Sequence, residues 1–162
     1  SSFIEDLPDD FLESLNQLCL VNNIKIIIKL HPMDANTSRF ELLQFSNILF
    51  FDSKHWESTG INLYDLLSIS KGLITDFSSV MIDCINTPIP VGFIQSSQEN
   101  YIRKSVTPIN ELLEYVHTIN KPQDIINMVN SYPSSTSMDN KFNSYGYGAS
   151  KRIFEKLGLT RA

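Results

Sequence analysis

Two short stretches of this chain bring together residue types that can hold an anion. The first is Lys29-Leu30-His31-Pro32. Pro32 fixes a turn and restricts His31 to an extended backbone. A histidine at the end of a strand can donate a hydrogen bond to a phosphate or act as an acid. A histidine that merely satisfies loop carbonyls has the same local sequence, so position alone leaves both readings open. The second stretch is Thr75-Asp76-Phe77-Ser78-Ser79, where a strand runs into a helix. The first N–H groups of a helix have no intrahelical partner; with two serine hydroxyls they converge on one point, an anion site that needs no glycine-rich loop. Plain N-capping by Ser78 or Asp76 is the competing explanation. Asp76 would repel a phosphate that it faced, and is expected to hold loop backbone or a ribose hydroxyl.

Other residues carry less. Arg103 and Lys104 can reach a phosphate, although a solvated charged face is the commoner outcome. Trp56 and His55 lie in a polar stretch and have rings that can stack on a base. Asp65, within Asn62-Leu63-Tyr64-Asp65-Leu66-Leu67, is expected to cap or brace the neighbouring loop. The serines of the second stretch have no obvious base, so no Ser/His/Asp triad can be assigned. There is no Walker loop and no GxGxxG. His31, His55 and His117 lack the spacing of zinc ligands. These residues demand no metal and no cofactor, and leave open a divalent ion on a bound diphosphate.

The elements that must carry these loops alternate along the chain. Phe11, Leu12, Leu15, Leu18 and Cys19 recur at helical spacing. Asp9 and Asp10 stand near the start of that helix, where its dipole favours negative charge, and Asn22-Asn23 ends it. The β-branched run 24–30 reads as a buried strand. Further strands are expected over 47–51, 72–75, 89–94 and 114–119. Residues 52–60 read as a polar loop, followed by a short helix around Leu63, Leu66 and Leu67. Ser78-Ser79 opens a helix that runs to Ile85. Asn120-Lys121-Pro122 opens another, with proline where its missing N–H has no partner to lose. Residues 131–144 read as a loop, and a last helix is expected over 149–157. Strands alternating with helices imply βαβ units: an α/β, Rossmann-like three-layer domain spanning 1–162, built on a five-stranded parallel sheet. Ligands bind such sheets beyond the carboxyl ends of the strands, which selects the loops after Leu30, Phe51, Thr75 and Ile94.

Composition narrows the partners. A chain of 162 residues fits one domain of ~100–200 residues. A formal net charge of -5 argues against a nucleic-acid partner, whose binders are normally basic. It leaves room for an anionic ligand at one local site. No apolar run approaches the ~20 residues of a membrane span. Cys19 and Cys84 sit in apolar helical context and read as reduced core residues. The chain starts at Ser1 without methionine or secretory leader, and is expected to be a piece excised from a longer protein.

In this order, the loops resemble the CDP-glycerol glycerophosphotransferase family of teichoic-acid and capsule polymerases. The matching pieces are Ile27-Ile28-Lys29-Leu30-His31-Pro32, Asn62-Leu63-Tyr64-Asp65-Leu66-Leu67, Gly72-Leu73-Ile74-Thr75-Asp76-Phe77-Ser78-Ser79-Val80-Met81-Ile82-Asp83 and Thr87-Pro88-Ile89-Pro90-Val91-Gly92-Phe93-Ile94. The family reads KLHP, a D-LL helix, LITDYSSVMFD and a short proline-bearing strand. Tyr147-Gly148-Ala149-Ser150-Lys151-Arg152 is similar to its DGxAxxR helix start. The resemblance implies the C-terminal, nucleotide-binding half of a GT-B fold, whose N-terminal half is a missing partner. It implies that His31, Ser78 and Ser79 surround the donor's diphosphate. Taken with the reading of the residues themselves, His31 is expected in the catalytic role, and Thr75, Asp76, Ser78, Ser79 and Arg103 are expected as substrate- and phosphate-binding residues. Lys71 stands where the family usually has aspartate, and no RGFY-type stretch is recognisable in 98–108, which leaves the role of Arg103 open. The family's general base, a histidine of the N-terminal half, is outside this chain.

The expected activity is transfer of a polyol phosphate from a CDP-linked donor to a polymer or lipid-linked acceptor, in the cytoplasm or at the inner face of the cell membrane. Two alternatives remain: a GT-B glycosyltransferase that uses a nucleotide sugar, and a non-catalytic module that binds a carbohydrate polymer.

Overall fold

The computed structural model describes residues 7–30, 40, 43–76, 78–85, 87–94, 112–131 and 148–158. Helix α1 spans Asp9–Val21 with Asp9 and Asp10 in its first turn, and buries Leu12, Leu15 and Cys19. Those three positions share one face at helical spacing. Asn22 caps its end, and Asn23 takes a left-handed backbone at φ 53, which asparagine tolerates better than most side chains. The turn returns the chain as β1 (Ile26–Lys29), which pairs in parallel with β2 (Ile48–Phe51), Ile26 opposite Ile48 and Lys29 opposite Phe51. Asn47 pins this entry. Its side-chain amide donates to the Ile24 carbonyl at 2.8 Å, and its main-chain N–H donates to Asn16 Oδ1 at 2.9 Å.

Helices α2 (Ser53–Ser58) and α3 (Leu63–Ile69) lead to β3 (Leu73–Thr75), followed by α4 (Ser79–Ile85) and β4 (Val91–Phe93). Strand β5 (His117–Thr118) and helices α5 (Pro122–Asn130) and α6 (Ala149–Lys156) complete the described elements. Strands β3, β4 and β5 form a parallel sheet in that order, with Thr75 opposite Phe93 and Phe93 opposite Thr118.

The alternation along β4 makes the three layers explicit. Val91 and Phe93 pack into one cluster with Leu67 of α3 and Met81, Cys84 and Ile85 of α4. On the other face, Ile94 and Ile119 join Leu15 and Cys19 of α1 and Ile125, Ile126 and Met128 of α5. Successive strand residues point to opposite faces, so a sheet between two helical layers follows from the sequence pattern. Gly92 is required on the α5 side: a Cβ there would lie 2.9 Å from Met128 Sδ and 3.0 Å from Ile119 Cγ1. Helix α5 begins with Pro122, and the Asp124 carboxylate accepts from the Asn120 and Lys121 main-chain N–H groups, both at 3.0 Å.

The parallel α/β architecture agrees with the sequence reading, and the strands depart from it in three places. The strands hydrogen-bond as two sheets, β1-β2 and β3-β4-β5, not as one sheet of five. What joins them is packing: Ile26, Ile28, Ile48 and Ile74 meet in one apolar core. Strand β1 is half-buried, not buried on both faces; Ile27 and its neighbour Leu49 are 42% and 41% exposed. Residues 114–119 hold only a two-residue strand, because the Tyr115 N–H turns back to the Leu112 carbonyl at 3.0 Å.

Cys19 and Cys84 are unpaired and buried, at 0% and 3% exposure. Burial pushes both thiols up, and the Asp83 charge adds to the effect at Cys84. Only a thiolate attacks an alkylating agent. Iodoacetamide at pH 8 is therefore expected to label neither thiol appreciably in the folded chain, and both after unfolding in urea. Rapid labelling of either in the native state would contradict this packing.

Candidate functional site

The 75–79 turn is built where β3 ends. Thr75 is buried, and its carbonyl accepts from the Ile94 N–H at 3.1 Å, which ties the C-terminal end of β3 to that of β4. The Ser78 N–H then folds back onto the Asp76 carbonyl at 2.8 Å, and the Ser78 carbonyl accepts from the Met81 N–H at 3.1 Å. Asp76 and Ser78 are half-buried, and Ser79, the first residue of α4, is exposed. Four of the residues singled out from the sequence thus stand together at the carboxyl end of a parallel strand, Thr75 as its last residue and the others beyond it. One expectation changes: the Ser78 amide is spent inside the turn, so it does not point outward with the hydroxyls.

His31 directly follows Leu30, whose N–H donates to the Phe51 carbonyl at 2.8 Å and closes the β1–β2 ladder. His31 itself, Phe77 and Arg103 lie outside the described residues.

The 52–60 stretch is not a loop. The Asp52 carboxylate caps α2 by accepting from the His55 N–H at 2.7 Å, and its second oxygen holds His55 Nδ1 at 2.8 Å. The His55 main-chain N–H and then its ring hold the Asp52 carboxyl below its ordinary range. Trp56 is buried, with its ring edge-on to Phe51 at 5.9 Å. That ring is committed to the core, which removes it as a platform for a base. The neighbouring α3 is capped by Asn62, which accepts from the Tyr64 N–H at 2.8 Å; Asp65 is exposed in the first turn and is not the cap.

The bracing role expected of Asp65 belongs instead to Tyr64. Its hydroxyl donates to Asp83 Oδ2 at 2.7 Å, linking α3 to α4. The phenol is pushed up, because it donates to a carboxylate whose charge disfavours a phenolate. Nothing local signals this pair, since the two residues are 19 positions apart.

Among the described residues, no group of three His, Cys, Asp or Glu side chains is placed to hold a metal ion. No helix among them is long and apolar enough to cross a membrane.

Residues 9–154 match the family model described as CDP-Glycerol:Poly(glycerophosphate) glycerophosphotransferase. No curated protein and no solved structure matches the chain. The family match runs from the first residue of α1 into α6 and takes in all five strands and the 75–79 turn. It bears out the resemblance carried by the KLHP and ITDFSS stretches and indicates activity of the glycerophosphotransferase type. The chain belongs to the CDP-glycerol:poly(glycerophosphate) glycerophosphotransferase family.

Proposed function

We propose that this chain is the nucleotide-binding, C-terminal half of a GT-B transferase. It holds a CDP-activated polyol while polyol phosphate passes to a growing cell-surface polymer of the teichoic-acid or capsule kind. The observation that carries the reading is the turn beyond β3, with Thr75, Asp76, Ser78 and Ser79 at the edge where parallel α/β sheets take ligands, in a chain of this family. The Ser78 and Ser79 hydroxyls and the Ser79 and Val80 amides at the start of α4 donate to the diphosphate. Asp76 takes a ribose hydroxyl or holds the loop. His31 and Arg103 supply further donors to phosphate oxygens.

In the reaction, an acceptor hydroxyl attacks the β-phosphorus of the donor. A new P–O bond forms to the acceptor, the anhydride P–O bond breaks, and CMP leaves with the bonding pair. The hydroxyl proton goes to a base from the N-terminal half. Phosphoryl transfer of this kind depends mainly on positioning and charge stabilisation. His31, donating to a phosphate oxygen, offsets the charge that develops there.

Calorimetric titration of the chain with CDP-glycerol, CDP-ribitol, UDP-sugars and CMP-sialic acid tests this. CDP-linked polyols are expected to bind and the others to bind at least tenfold more weakly, a difference of about 1.4 kcal/mol. Preference for a UDP-sugar would turn the assignment to a glycosyltransferase. Binding of polymer but of no nucleotide would turn it to a docking module.

A further inference from the structure

We propose that Tyr64 and Asp83 are positioning residues: their hydrogen bond fixes the rotation of α4, and with it the direction in which Ser78 and Ser79 face the donor. The inference rests on the donor-site reading of the 75–79 turn.

Helix α4 has only seven residues, too few to be stable by itself. Its apolar side, through Met81, Cys84 and Ile85, is held against Val91 and Phe93 of β4 and Leu67 of α3. Apolar contact is non-directional; with Val80 and Ile82 packed on its flanks it sets how close the helix lies, and it resists rotation about the axis only through shape. A directional bond on the opposite side removes the freedom that is left. Ser79 and Asp83 are four residues apart and both exposed, so they lie on one face of α4 a turn apart. The Tyr64 hydroxyl takes hold of that face through Asp83 Oδ2 at 2.7 Å, a charge-assisted geometry.

The root of the tyrosine is itself fixed, because its main-chain N–H donates to Asn62 Oδ1 at 2.8 Å within the cap of α3. At 56% exposure the ring contributes little to the core. The hydroxyl is what the position uses. Phenylalanine at 64 would keep the ring and lose the bond.

Amide hydrogen exchange on the 162-residue chain, followed by NMR without nucleotide, reads the rotation directly. Tyr64→Phe is expected to speed exchange at the Ser78 and Met81 amides by about three- to tenfold, with a Tm within about 3 °C of the parent. Asp83→Ala should do the same, and the double variant no more than either alone. Asp83→Asn keeps an acceptor oxygen and should restore most of the protection. In calorimetry, Tyr64→Phe should bind CDP about three- to tenfold more weakly than the parent, and Asp83→Asn close to it. Unchanged exchange in both Tyr64→Phe and Asp83→Ala would overturn the inference. So would faster exchange with undiminished CDP affinity, which would limit the bond to helix stability. A parent chain that binds no CDP would overturn the donor-site reading instead, and the exchange rates would still decide whether the pair holds α4.

Discussion

Replacing Met128 by alanine is expected to lower the free energy of unfolding by about 2–5 kcal/mol, measured by urea denaturation with an unchanged m-value. Met128 is 1% exposed, and its thioether lies over two glycines. A Cβ at Gly72 would meet Met128 Cε at 3.0 Å, and one at Gly92 would meet Sδ at 2.9 Å. The side chain therefore fills the space that two missing methyl groups leave between α5 and the sheet. Truncation opens a void that neither glycine can close, which points to the upper part of the range. Gly92→Ala in the parent forces Met128 and Ile119 aside and is expected to cost about 1–3 kcal/mol. In the Met128→Ala background it should cost less, because one of its two clashes is gone. A loss below about 1 kcal/mol for Met128→Ala would mean that α5 settles onto the sheet without it.

The triple variant Ser78→Ala, Ser79→Ala, His31→Ala is expected to weaken CDP binding at least tenfold in calorimetry, with the far-ultraviolet spectrum unchanged. Each lost donor costs about 0.5–1.5 kcal/mol, since main-chain amides carry part of the interaction. Three such losses exceed the ~1.4 kcal/mol of a tenfold change. The single variants should each fall by about two- to tenfold. Exposed Ser79 and half-buried Ser78 can lose a hydroxyl without opening the core, so a change in affinity is not a change in folding. A folded triple variant that binds CDP as the parent does would reduce these loops to helix capping and strand termination.

The parts legible in the sequence were those with a local cause. Helix α1 announces itself by the spacing of Leu12, Leu15 and Cys19, and the 75–79 turn by an abrupt change from apolar strand to Asp and Ser. Helix α2 does not: in six residues it has a single buried anchor, Trp56, and no periodicity can be read from one point. What makes it a helix is the Asp52 cap. The local sequence points to Asp65 for a brace that Tyr64 provides, because the brace spans two helices and depends on how they pack. The separation of the strands into two hydrogen-bonded groups is likewise a long-range property. A run such as Ile26–Lys29 has the same local preference whichever neighbour it pairs with. The placement of His31 and Arg103 lies outside the described residues.

The amide of Asn47 has a consequence for misfolding. Strands β1 and β2 are four residues each, rich in isoleucine, leucine and phenylalanine, and their backbone hydrogen bonds alone do not distinguish one alignment from the next. A shift by one residue would turn Ile26 and Ile28 outward and Ile27 and Lys29 inward. It would also carry Asn47, 8% exposed, away from the Ile24 carbonyl and from Asn16. The amide would then be stranded in a dry environment, an error worth about 1–3 kcal/mol. One polar side chain at the mouth of an oily ladder thus acts as a proofreading mark for strand alignment, distinguishing the native pairing from its slipped neighbours as the sheet forms.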